Sequence, residues 1–147
     1  MSSFTEASFE AVYLADGSSK LRGGRQVYKI RGADGAGLRW DVGYLGSGLG
    51  VHVPEGFETD GPSAPLWLLP LLPVRRMVKA SAVHDMLRED VRWTKLETDA
   101  IFLMAMETEG TPLWARVLAY KAVRLNRSRT GHQPPAGVEP DLTPPVS

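Results

Sequence analysis

Residues 74–89 read VRRMVKASAVHDMLRE, and their spacing decides the fold. Met77, Ala80, His84 and Leu87 recur at three- and four-residue intervals, which on an α-helix gathers them on one stripe. His84 therefore faces inward, while Asp85, about 100° further round, lies beside Val78 and Ser81. An imidazole and a carboxylate on the buried side of a helix are unfavourable unless they are paired or used.

Upstream of this stretch the period is two rather than 3.6. FEAVYLADGS (9–18), RQVYKI (25–30), RWDVGYL (39–45) and GVHVP (50–54) are short runs of β-branched and aromatic residues punctuated by Asp-Gly, Gly-Gly and Gly-Ser-Gly. In RWDVGYL, Trp40, Val42 and Tyr44 alternate with Arg39, Asp41 and Gly43, which predicts one buried face and one polar face. Downstream, helices are predicted over residues 74–89, 95–109 and 112–126. Thr94 and Glu97 have capping-box spacing, Gly110 is placed to close the second helix, and Thr111-Pro112 supplies a cap and a first-turn proline for the third. The predicted fold is α+β: a small N-terminal antiparallel sheet followed by a three-helix C-terminal unit, one domain over residues 1–131. Residues 132–147, HQPPAGVEPDLTPPVS, are rich in proline and read as an extended tail.

Bulk properties restrict the function classes. Seventeen basic residues balance seventeen acidic ones, so no overall field draws the chain to nucleic acid or an anionic membrane. The absence of cysteine excludes disulfides and thiolate chemistry and leaves oxygen and imidazole as metal ligands. MSSFTEASFE has neither the basic nor the apolar region of a secretory signal, and no apolar run approaches the ~20 residues of a membrane span.

Three ionisable groups and a turn make up the candidate site. On the second helix Leu96, Asp99, Leu103 and Met106 form the inward stripe, so antiparallel packing can pair Asp99 with His84. An imidazole held by a carboxylate through one nitrogen has the other free to act as a base. In VPEGFETDGPSAP (53–65), Gly56, Gly61 and Pro62 imply a tight turn directing Thr59, Asp60 and Ser63 toward one point. Asp60 there is either a ligand for a hard cation such as Ca²⁺ or Mg²⁺, or the acceptor of a local turn. PLWLLPLLP (65–73) follows, too rich in proline for a regular helix; its Leu-rich segment 66–72 reads as a core plug or as a lip for lipid or a protein partner.

VPEGFETDGPSAP, AVHDML (82–87), TKLETDAIFLMAM (94–106) and YKAVRLNR (120–127), in that order, resemble the signature of a phage and prophage family catalogued as domain of unknown function 1353. The resemblance spans most of residues 8–126. It implies a phage origin, hence the host cytoplasm or a virion, and names no reaction. The helical His-Asp doublet is also similar to that of phospholipases of the A-two type. That similarity implies His84 as general base, Asp99 as the carboxylate orienting it, and Asp85 as a calcium ligand assisted by the TDGPS loop, with Asp60 a second ligand and Thr59 and Ser63 nearby. Arg88 stands where those enzymes place a tyrosine, and their disulfides have no counterpart here. Two functions are therefore expected as alternatives: a small metal-assisted hydrolase of esters or lipids, or a non-enzymatic phage virion, assembly or host-interaction protein using the Leu-rich loop or the Pro-rich tail.

Overall fold

The computed structural model describes residues 1–44, 47–48, 50–62, 67–90 and 92–125. Ser63, Leu66, Asn126 and the tail 132–147, all named above, lie outside the described residues. The architecture is α+β, with antiparallel strands first and three helices after them.

The N-terminal half forms two three-stranded sheets and a ribbon rather than one sheet. In the first sheet β1 (Ser3–Phe4) and β7 (Gly50–Val53) flank β6 (Leu38–Asp41), with Phe4 opposite Trp40 and Leu38 opposite Val53. In the second, β2 (Ala7–Ala11) and β8 (Glu58–Thr59) flank β5 (Tyr28–Gly32), with Phe9 opposite Ile30 and Tyr28 opposite Thr59. β3 (Leu21–Arg22) and β4 (Arg25–Gln26) form the separate ribbon. Glu55 holds the chain where it passes from one sheet to the other: its Oε2 accepts from the backbone N–H groups of Gly32 at 2.8 Å and Gly37 at 2.9 Å.

The alternation expected across RWDVGYL ends early. β6 stops at Asp41, Gly43 takes φ 89°, and Tyr44 is 65% exposed instead of joining Trp40 in the core. Asp41 is buried instead, with its Oδ1 3.0 Å from Arg39 Nε. Once a strand turns out of the sheet, period two no longer assigns its residues to a face.

The helices are α1 (Val78–Glu89), α2 (Lys95–Glu109) and α3 (Leu113–Leu125). α1 begins four residues later than the apolar period suggested, because Val74–Arg76 forms a 3-10 turn and Met77 has φ −135°, outside helical geometry. Another 3-10 turn, Leu69–Leu71, carries the Leu-rich segment. Leu68 and Leu72 of that segment are buried, as a core plug requires, whereas Trp67 is 74% and Leu71 65% exposed. α2 has both arms of its capping box, and Gly110 closes it at φ 85°, a conformation disfavoured for residues with a Cβ. Thr111 donates its hydroxyl to the Arg76 carbonyl, tying the α2–α3 turn to the turn before α1.

The core lies between the helices and both three-stranded sheets. Met77, Ala80, Val83 and Leu87 of the α1 segment meet Phe102, Ala105 and Met106 of α2, with Ile30, Leu38, Trp40 and Val53 from the strands. On α2 the buried stripe runs through Phe102, which is 1% exposed, rather than Leu103; Leu96, expected inside, is 57% exposed. Burying a side chain the size of Phe102 contributes roughly 1.5–3 kcal/mol over leaving it in water. Trp40 Nε1 donates to Thr108 Oγ1 at 3.0 Å, which fixes α2 against β6.

Candidate functional site

α1 carries the site because it places two consecutive polar residues on different sides of one buried helix. His84 is 2% exposed and points toward α2, where its Nε2 is 2.9 Å from Asp99 Oδ1. Asp85 is 7% exposed and points toward the end of β8, where Thr59 Oγ1 donates to its Oδ2 at 2.6 Å. The separation follows from one helical step.

On the α2 side, cations surround the carboxylate. Lys95 Nζ lies 2.5 Å and Arg124 NH1 3.1 Å from Asp99 Oδ2, so three donors converge on one group. Lys95 also donates to the Val123 carbonyl at 2.6 Å, bringing α3 into the cluster. Burial works to raise the Asp99 pKa, but the hydrogen bonds from His84 and Lys95 override it and hold the group at about 2. Burial lowers the His84 pKa against the pull of Asp99, with the positive charges of Arg88 and Lys95 acting in the same direction as burial. The neutral imidazole is thereby favoured. Since ionised Asp99 can only accept, Nε2 carries the ring hydrogen and Nδ1 keeps the lone pair. The ring of Phe102 stands 4.7 Å from that of His84 and covers it.

On the β8 side two carboxyl groups meet. Burial first, and then the charge of Asp60, lift the Asp85 pKa to about 7, and a hydrogen bond between the two side chains acts in the same direction. Two adjacent carboxylates in a buried place cannot both ionise easily, so the pair retains a proton where an isolated aspartate would have lost it. The Thr59-Asp60-Gly61 turn makes the meeting possible: Gly61 has φ 79°, and its N–H donates back to Thr59 Oγ1 at 3.2 Å. Arg25 NH1 approaches Asp60 Oδ2 to 3.8 Å from β4.

The structure thus brings together His84 with Asp99, and Asp85 with Asp60 and Thr59. The two groups open differently. A cavity of about 370 Å³ is bordered by Asp60, and neither His84 nor Asp85 lines it. Asp60 and Asp85 with the Thr59 hydroxyl supply fewer oxygens than the about six to eight that calcium takes. Among the described residues no cluster of three or more His, Cys, Asp or Glu side chains is in place to hold a metal ion.

Sequence reasoning missed Lys95 and Arg124 as partners of Asp99. The first was legible, since Lys95 and Asp99 are four residues apart on a helix, a spacing at which side chains meet. It also missed Glu109, which accepts at 3.0 Å from Lys79 N and 2.9 Å from Ala80 N and so caps α1 from the far end of α2.

The fold and site together define a small α+β domain with a buried His-Asp cluster back to back with a carboxyl pair in which burial and the neighbouring Asp60 raise the Asp85 pKa to about 7. Residues 41–123 match the family described as Protein of unknown function (DUF1353), and the chain belongs to that family. Comparison with curated proteins and with solved structures found no match.

Proposed function

We propose that the protein is a small acid–base hydrolase of esters whose reacting groups are Asp60 and Asp85. The observation that carries this is the carboxyl pair itself: Asp85 is held protonated up to about pH 7 by burial and by Asp60, and Asp60 borders a cavity. A pair holding one proton has both an acid and a base ready at neutral pH. In the hydrolytic step a carboxylate of the pair takes a proton from water as the water oxygen bonds to the ester carbonyl carbon. The proton held by the pair passes to the carbonyl oxygen. Collapse of the tetrahedral intermediate breaks the bond to the alcohol oxygen, which leaves with a proton given by the pair, while the hydroxyl formed on the carbonyl oxygen hands its proton back to the pair and becomes the carbonyl again, so the pair ends with the one proton it began with. No step is routed through a metal ion.

In this mechanism His84 and Asp99 are positioning residues. Their contact fixes α1 against α2 and so holds Asp85 in line with Asp60. Phage origin belongs to the same proposal, through the resemblance of the four ordered motifs.

The test is hydrolysis of 4-nitrophenyl butyrate by the full chain across pH 5–9. The rate is expected to fall as pH rises through about 7, following loss of the Asp85 proton, and to vanish in both Asp60→Asn and Asp85→Asn. His84→Gln should reduce the rate without abolishing it. Hydrolysis no faster than buffer, or unchanged in both Asn variants, would overturn the assignment.

One observation favours a second reading. The His84–Asp99–Lys95–Arg124 cluster is satisfied without any ligand, as a purely structural core would be, and Trp67 and Leu71 stand exposed on the 3-10 segment. A non-enzymatic virion, assembly or host-interaction protein, contacting a protein or lipid partner through that segment, fits these features. Substitution of Trp67 and Leu71 by serine should then abolish partner capture while leaving the melting temperature unchanged.

A further inference from the structure

We propose that the cavity beside Asp60 binds a monoanionic amphiphile, a carboxylate joined to a compact apolar group of aryl or short acyl size. The inference names a substrate class for the hydrolase above and rests on that reading for the chemistry, though not for the binding. The cavity lies where the second sheet, the β3–β4 ribbon, the 3-10 turns and the start of α1 meet. At about 370 Å³ it is within the range of small-molecule sites.

Its walls have two chemical characters. Phe9, Leu69, Val74 and Val78 contribute apolar surface, from β2, the two turns and α1 respectively. Such a lining favours a hydrocarbon or aromatic body and gives no hydrogen bonds to a polar one. Arg25, Arg75 and Asp60 contribute the charges. Arg25 faces Asp60 at 3.8 Å, longer than a close hydrogen-bonded pair. Arg75 is exposed at the cavity edge and, among the described residues, has no carboxylate partner.

Counting these charges selects the ligand. Arg25 is already engaged, with Asp60 among its partners, so Arg75 is the cation at the cavity edge that a ligand can meet, and one carboxylate neutralises it. Guanidinium and carboxylate are planar and match in two parallel hydrogen bonds, so the head group is recognised by shape as well as charge. A phosphate dianion would bring a second negative charge toward Asp60, and a cation would meet Arg75 with the same sign. An ester carrying a free carboxylate can therefore be anchored at Arg75 while its apolar body lies along the wall and its carbonyl reaches Asp60.

Calorimetric titration of the full chain tests the binding, with 4-phenylbutyrate as probe and 4-phenylbutanol, 4-phenylbutylamine and inorganic phosphate as comparisons. The carboxylate is expected to bind about tenfold tighter than the alcohol, the worth of one charge-assisted hydrogen bond. Arg75→Gln should bring it to the alcohol's affinity, and Arg75→Glu, with its melting temperature recorded alongside, should abolish it and create binding of the amine. Equal affinity for carboxylate and alcohol, preference for phosphate, or indifference to Arg75→Glu would each overturn the proposal. A parallel assay uses mono-4-nitrophenyl glutarate, which carries both an ester and a carboxylate. Arg75-dependent binding without its hydrolysis supports the cavity assignment and overturns the hydrolase reading, whereas absence of binding overturns the cavity assignment whatever the hydrolytic result.

Discussion

His84 Nε2 stands 2.9 Å from Asp99 Oδ1, and that contact joins the middle of α1 to the first part of α2. Removing the acceptor leaves a buried imidazole N–H without a partner and takes the carboxylate away from Lys95 and Arg124. Asp99→Ala should destabilise the protein by roughly 1–3 kcal/mol in urea unfolding. Asp99→Asn, which keeps an acceptor, should lose less.

The acid side of the stability profile carries the signature of the same carboxylate. Asp99 sits at about 2 in the fold against 3.8 for an ordinary aspartate, so its contribution is complete above about pH 4 and disappears as pH falls toward about 2. Melting temperatures recorded between those limits should drop steeply in the wild type and more gently in Asp99→Asn.

Asp85 has the opposite sign. Its pKa is raised from 3.8 to about 7, so the fold disfavours the carboxylate; stability is full below the lower value and is lost as pH climbs toward the upper one. Asp85→Asn should therefore raise the melting temperature at pH 8 and change it little at pH 4. A variant less stable than wild type at pH 8 would show that the buried charge is compensated.

Calcium discriminates between a proton and a cation as the occupant of the carboxyl pair. With a shared proton there, millimolar CaCl₂ should leave the melting temperature at pH 7 unchanged. A rise following RT ln(1 + [L]/Kd), lost in Asp85→Asn, would assign the pair to a divalent ion and end the proton-sharing mechanism.

Glu109 supplies a cap from outside its own helix. Glu109→Ala should weaken the first turn of α1 by about 1–2 kcal/mol and speed hydrogen exchange at the Lys79 and Ala80 amides, its two donors.

Legibility in the sequence followed locality. The limits of α2 were readable because Thr94, Glu97 and Gly110 act within a turn of the helix ends they define. The His84–Asp99 contact was readable because two inward polar residues on adjacent antiparallel helices have few other partners. The division into two sheets was not, since strands as short as Ser3–Phe4 and Glu58–Thr59 carry no period and gain their identity only from distant partners. Glu55 and Glu109 went unnoticed for the same reason: each satisfies backbone groups brought near only by the completed fold. Asp60 and Asp85 were singled out, but the raised pKa of Asp85 depends on burial, which no spacing reveals.

Because His84 and Asp85 are consecutive, α1 is gripped at two points on its circumference, by Asp99 on one side and by Thr59 on the other. A helix held at one point can roll about its long axis as a neighbour shrinks or swells. Held at two, a roll that eases one grip strains or breaks the other. A substitution at the α1–α2 seam, such as Phe102→Leu, is thus transmitted as torque to the carboxyl pair across the helix, and the pKa of Asp85 becomes a gauge of packing that it does not touch.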